Sequence, residues 1–171
     1  IYLRTRSKKD NTVGSQSNTN LAYIAGFLDG DGSLMLQIKK RKDGNKGLRF
    51  MATICLYQDA RHAEPLRWMR DVFNIGYVSS RNDGIMELRV NGFKQVQMIL
   101  DMLIPYIRFK KLQARALRDA CTLLSEASIK KLDAQQLKDV VDYVVVIQNE
   151  NYGTRKKRTK EELYTVLGLT P

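Results

Sequence analysis

Residues 21–33 read Leu21-Ala22-Tyr23-Ile24-Ala25-Gly26-Phe27-Leu28-Asp29-Gly30-Asp31-Gly32-Ser33, and the fold turns on how this stretch is taken. A largely apolar run with Thr19 and Asn20 in front of it as a cap predicts a helix, and Asp29-Gly30-Asp31-Gly32 brings that helix to a stop. Gly26 inside the helix costs about 1 kcal/mol relative to alanine, so something has to compensate for it. Ala22, Gly26 and Asp29 fall at i, i+4 and i+7 on one stripe, and a stripe of small residues lets a second helix backbone come close. The segment occurs once in the 171 residues, which predicts that the second helix belongs to another copy of the chain across a two-fold axis. Asp31 then stands at a helix C-terminus, where the dipole and the unpaired carbonyls, that of Gly30 among them, disfavour a lone carboxylate. Two such ends brought together offer carboxylate and carbonyl oxygens to a hard divalent cation such as Mg²⁺.

Beyond the stop the periodicity changes to two. Leu34, Leu36 and Ile38 fall on one face of a strand, with Met35, Gln37, Lys39 and Arg41 on the other, and Asp43-Gly44 signals a turn. The return strand puts Leu48, Phe50, Ala52, Ile54 and Leu56 on one face and Arg49, Met51, Thr53, Cys55 and Tyr57 on the other, ending at Gln58. A helix with Pro65 near its first turn follows, its core side formed by Leu66, Met69, Val72 and Phe73, with Trp68 expected to help fill that core. A second hairpin is predicted from Gly76 to Asn91 around Asn82-Asp83-Gly84, with Met86, Leu88 and Val90 inward and Ile85, Glu87 and Arg89 outward. Helices are predicted over 93–103, 110–124 and 134–148, then a basic run Arg155-Lys156-Lys157-Arg158 and a short helix capped by Thr159 with Glu162. The order, helix, two strands, helix, two strands, then helices, predicts an α+β fold of antiparallel hairpins with helices on one side.

Composition sets the class of partner. Against 18 Asp and Glu stand 29 Lys and Arg, a net charge of +11, which points to nucleic acid. The apolar share of 43% is that of a soluble globular chain, and no apolar run approaches the roughly 20 residues of a membrane span. Cys55 and Cys121 form neither a disulfide framework nor a zinc spacing, and the single His62 cannot complete a metal cluster alone. Residues 1–18 read as a basic arm ahead of one domain over 19–171, and a first residue other than Met leaves room for a targeting segment upstream.

The 21–33 segment closely resembles the signature helix of the LAGLIDADG homing endonucleases, and the element order is similar to that family's αββαββα core, with its antiparallel β-ribbon saddle, over roughly 20–124. The later helices and basic run resemble the single-motif members encoded in group I introns of chloroplasts and their relatives. The resemblance implies a site-specific double-stranded DNA endonuclease that acts as a homodimer on a long pseudo-palindromic site. It also implies hydrolysis of one phosphodiester per strand with Mg²⁺, Mn²⁺ substituting and Ca²⁺ supporting binding without cleavage. It implies mobility of the host intron, an organellar setting (chloroplast or mitochondrion), and no further protein or membrane partner.

By the same resemblance Asp31 and Gly30 hold metal, Gln58 positions solvent, and Lys110 is the basic residue near the attacking water. A second basic position falls at His62 or at Arg61 beside it. From the residues themselves, the outward faces collect Gln37, Lys39, Arg41, Arg49, Ser79, Arg81, Glu87 and Arg89, side chains of the kinds that read base edges in the major groove, interrupted by Met35, Met51 and Cys55. Arg155, Lys156 and Lys157 suit phosphate, and Ala22, Gly26 and Asp29 a dimer contact. The competing readings are an RNA maturase or a catalytically weak DNA-binding protein with the same fold.

Overall fold

The computed structural model describes residues 17–40, 47–127, 129–154 and 156–170. Arg41, the expected Asp43-Gly44 turn, Arg155 and residues 1–16 of the expected arm lie outside them. Along the chain run α1 (Asn18–Asp31), β1 (Gly32–Lys40), β2 (Leu48–Asp59), a 3₁₀ turn (Ala60–His62), α2 (Glu64–Phe73), β3 (Tyr77–Ser80) and β4 (Ile85–Asn91). Then come α3 (Phe93–Leu103), α4 (Lys111–Glu126), a second 3₁₀ turn (Ile129–Lys131), α5 (Ala134–Glu150) and α6 (Lys160–Leu167). Helix α1 begins earlier than its sequence suggests: Thr19 and Asn20 lie inside the first turn, and the flanking Ser17 accepts Leu21 N–H through its carbonyl rather than capping with its hydroxyl.

The four strands form one antiparallel sheet in the order β1-β2-β4-β3, so the two hairpins join along β2 and β4. Strand alternation decides which face is dry. Leu34, Leu36, Ala52, Ile54, Leu56, Leu88 and Val90 are buried beneath a layer of helices that contributes Ile24, Leu28, Leu66, Met69, Leu100 and Val140. Each such aliphatic side chain contributes roughly 1.5–3 kcal/mol on full burial, so the sheet and its helices hold one another in place. Trp68 is not part of this layer. With Leu66, Met69 and Phe73 turned inward, Trp68 falls on the far flank of α2, 36% exposed, where it meets Tyr23 of α1 edge-on at 5.7 Å between ring centres.

Two glycines make the connections possible. At Gly32 a Cβ would lie 2.7 Å from the Leu28 carbonyl oxygen and 2.8 Å from its Cα, so only glycine lets β1 leave directly off the last turn of α1. Gly76 enters β3 at φ +96, left-handed backbone that other residues rarely adopt. At the other end of the chain Thr159 and Glu162 form the expected reciprocal cap: Thr159 Oγ1 accepts Glu162 N–H at 3.2 Å and Glu162 Oε2 accepts Thr159 N–H at 3.0 Å.

Candidate active site and nucleic-acid interface

Asp29 and Asp31 leave the last turn of α1 in different directions and meet different surroundings. Asp29 is half-buried, and both its oxygens are engaged within the chain: Oδ2 accepts the backbone N–H of Arg108 at 2.6 Å and of Phe109 at 3.2 Å, and Oδ1 that of Lys110 at 2.9 Å. Lys110 answers in the other direction, its Nζ donating to the carbonyls of Leu28 at 3.0 Å and Asp29 at 2.5 Å. The Asp29 carbonyl is an orphan acceptor of the helix end, the Leu28 carbonyl already accepts the N–H of Gly32, and a cation there also suits the dipole. The clasp fixes the end of α1 against the start of α4. Burial lowers the pKa of Lys110 below the ordinary lysine value, and the nearby Asp29 and Asp31 charges oppose that shift.

Asp31 is exposed, and its carboxylate takes part in no hydrogen bond or ion pair among the described residues. It shares a cleft of about 360 Å³ with Gly30, Lys110 and the Asn151–Thr154 segment. Among the described residues no group of three or more His, Cys, Asp and Glu could hold a metal ion. One chain therefore supplies one free carboxylate with backbone oxygens beside it, an all-oxygen set that fits a hard cation and is incomplete without a second contributor.

Strand β2 continues past Leu56, the pairing partner of Gly32, and so carries Gln58 alongside the point where α1 gives way to β1. Gln58 Oε1 accepts the backbone N–H of Asp59 at 2.8 Å, which leaves its amide donors available. The two candidates for the second basic position differ: Arg61 forms a two-point pair with Asp59, Nε at 2.9 Å and Nη2 at 3.0 Å, whereas His62 is exposed and lies within coulombic reach of the same carboxylate. The Arg61 guanidinium holds Asp59 at a pKa of about 2.

The outer side of α1 is open. Ala22, Gly26 and Gly30 are all exposed, and a Cβ built at either glycine would meet nothing within 4 Å. This is the opposite of Gly32. Beside the stripe a recess is lined by Arg108, Phe109 and Gln113, and the Oε1 of Gln113 is buried with no hydrogen-bond partner among the described residues.

The outward face of the sheet carries its exposed polar side chains at the strand ends: Gln37, Lys39, Arg49 and Arg81, with Ser79 half-buried. Arg81 pairs with Asp83 at 2.8 Å and lies 5.8 Å over the Tyr57 ring. The centre is tighter, with Thr53 and Cys55 fully buried and Glu87 paired to Arg89. Lys156 is exposed in a groove that it shares with Gln37 and Lys39 at the β1 edge, and Lys157 donates to the Asn149 carbonyl at 2.9 Å. The turn after α5 adds a contributor that no periodicity in the sequence marks. Asn151 Nδ2 donates to the Leu34 carbonyl at 2.9 Å and brings that turn to the Asp31 cleft, a contact 117 residues apart in the chain. The only local signal is an Asn-Tyr-Gly sequence after a helical pattern.

Residues 24–120 match the LAGLIDADG endonuclease family. The chain belongs to that family. It is 32% identical over 94 residues to DNA endonuclease I-CvuI of Chlorella vulgaris, a match that spans 55% of this chain and 58%, less than two thirds, of that protein. To DNA endonuclease I-CreI of Chlamydomonas reinhardtii it is 28% identical over 151 residues, 86% of this chain and 88% of the other. The fold of this LAGLIDADG chain superposes with a TM-score of 0.77 on crystalline I-CvuI in complex with an I-CreI target, at 24% identity, covering 90% of this chain and 97% of that one. The αββαββα order predicted for the family is present from α1 to α3.

Proposed function

We propose that the protein is a homing endonuclease that cuts one phosphodiester on each strand of a long, pseudo-palindromic duplex site as a homodimer, and so promotes mobility of its host intron. The observation that carries this reading is the exposed Asp31, without a partner among the described residues, at the end of a helix whose glycine stripe faces open space. Two copies related by a two-fold axis through that stripe would bring their Asp31 carboxylates and Gly30 carbonyls together to hold a divalent cation. Ala22 and Gly26 would form the contact, with Asp29 serving the clasp within each subunit. When bound, Mg²⁺ supplies Lewis acidity toward phosphate oxygens and eases deprotonation of the attacking water, with Mn²⁺ able to substitute and Ca²⁺ supporting binding alone.

The residues around it have separate tasks. Gln58 orients solvent through its amide N–H groups, and Lys110, anchored on the carbonyls of Leu28 and Asp29, retains donor capacity toward a phosphate. The second basic position falls to Arg61, which Asp59 holds on its Nε–Nη2 edge while the remaining donors stay open, or to the exposed His62 beside it. The outward sheet face lies in the major groove, where Gln37, Lys39, Arg49, Ser79, Arg81 and Arg89 read base edges. Both curated relatives come from algae, which supports an organellar setting, the chloroplast first. The unobstructed Asp31, with Gln58 and Lys110 both present, favours the nuclease over a maturase or a binding protein without catalysis.

The decisive experiment incubates the protein with Mg²⁺ and a randomised duplex library and sequences the cut products. Two-fold symmetric sites cut on both strands are expected, and an uncut library would overturn the proposal. Replacement of Lys156 and Lys157 by alanine is expected to weaken binding to all duplexes alike. It should also flatten the dependence of log K on log salt by about 0.9 per lost phosphate contact. Lys156, with no backbone acceptor of its own among the described residues, should account for more of that loss than Lys157.

A further inference from the structure

Glu87 suits cytosine by its chemistry, yet its carboxylate is already occupied. Oε1 accepts Arg89 Nε at 3.2 Å, Oε2 accepts Arg89 Nη2 at 3.2 Å, and Cys55 Sγ lies 3.6 Å from Oε2. The Glu87 side chain is 12% exposed and that of Arg89 26%, so the arginine is the more accessible member of the pair. Freeing the carboxylate to meet a base would leave a largely buried charge and a guanidinium both unpaired, which is costly.

The chemistry of the guanidinium gives the arrangement a use. Its Nε–Nη2 edge is held by Glu87, and a planar fork gripped on that edge has its Nη1–Nη2 edge left over, with two parallel N–H donors at the spacing of guanine O6 and N7. The register sets Arg89 between Cys55 on β2 and Tyr77 on β3, so no second arginine or lysine stands directly across from it on either neighbour. Glu87 also neutralises Arg89 locally, which makes this residue a poor phosphate clamp and leaves hydrogen-bond geometry as its main asset. Building on the DNA-reading function proposed above, we propose that Glu87 is a positioning residue that locks Arg89 in place as a reader of guanine, and reads no base itself.

The test is selection of bound duplexes from a randomised library in Ca²⁺ by the full-length chain and its variants. The wild type is expected to enrich a site with guanine at one symmetric pair of positions. Arg89→Ala should lose that preference by roughly ten- to a hundred-fold, the range for a bidentate arginine–guanine contact. Glu87→Gln should lose part of it at the same positions and no others, while affinity for unrelated duplex rises because the Arg89 charge is no longer neutralised. The double variant should lose no more than Arg89→Ala, as expected for two residues that act through one contact. Arg89→Lys, which keeps the charge and lacks the fork, should lose the preference nearly as fully as Arg89→Ala; this arm stands even if Glu87→Gln fails to fold. A Glu87→Gln profile altered at a different base pair, or unaltered with only a lowered melting temperature, would overturn the inference, as would guanine preference retained in Arg89→Lys. A wild type that enriches no site at all would instead remove the DNA-reading function beneath it.

Discussion

A protein carrying Gly26→Leu is expected to fold, to sediment as a monomer, and to show no measurable cleavage. Nothing lies within 4 Å of a Cβ at this position, so the leucine meets no obstacle in its own chain, and the helix gains about 1 kcal/mol in propensity over glycine. The obstacle is the second copy. Helices packed through larger side chains sit about 8–10 Å apart, and a glycine–alanine stripe earns its place only where backbones come closer than that. The surroundings of the stripe agree: Phe109 is 86% and Tyr152 89% exposed on the recess beside it, and Gln113 Oε1 is buried there without a donor among the described residues. A protein rarely leaves large aromatic rings and a buried acceptor unpartnered without something to cover them. Far-ultraviolet circular dichroism would report the fold, sedimentation the mass and a plasmid assay the activity. A compact, active Gly26→Leu dimer would mean that this face of α1 does not meet its twin.

Asp31→Asn is expected to slow cleavage by roughly 10³-fold or more, several kcal/mol in the barrier, with duplex affinity unchanged or slightly raised. The carboxylate is exposed and has no partner among the described residues, so its replacement by the isosteric amide should leave the melting temperature where it was. Asp29, two residues earlier, behaves differently: its carboxylate fastens the backbone of 108–110, and Asp29→Asn should lower stability and disturb Lys110 as well. Single-turnover cleavage in Mg²⁺, duplex binding in Ca²⁺ and thermal melting of both variants would separate the two aspartates. Near wild-type cutting by Asp31→Asn would remove this residue from the metal site.

The element order was legible in the sequence because the signals are local. Alternation over 34–38 and 48–56, the Asn82-Asp83-Gly84 turn, Pro65 at a helix entry and the Thr159–Glu162 cap each depend on neighbours a few residues away, and each is present in the structure. The family too was legible, because its mark is a contiguous segment. Trp68 was misplaced for a reason of the same kind: hydrophobicity suggests burial, whereas the angular position of a side chain around α2 is set by Leu66, Met69 and Phe73 together.

What the tertiary structure alone decided is the division of labour among residues that look alike in the sequence. Gly26 and Gly30 face open space while Gly32 is walled in by Leu28; Asp29 is tied to a loop some 80 positions away while Asp31 has no partner among the described residues; Glu87 and Arg89 are bound to each other. These distinctions rest on contacts between segments remote in the chain. Spacing along the sequence identifies the side chains available to a site, but only packing determines which of their polar atoms are already satisfied.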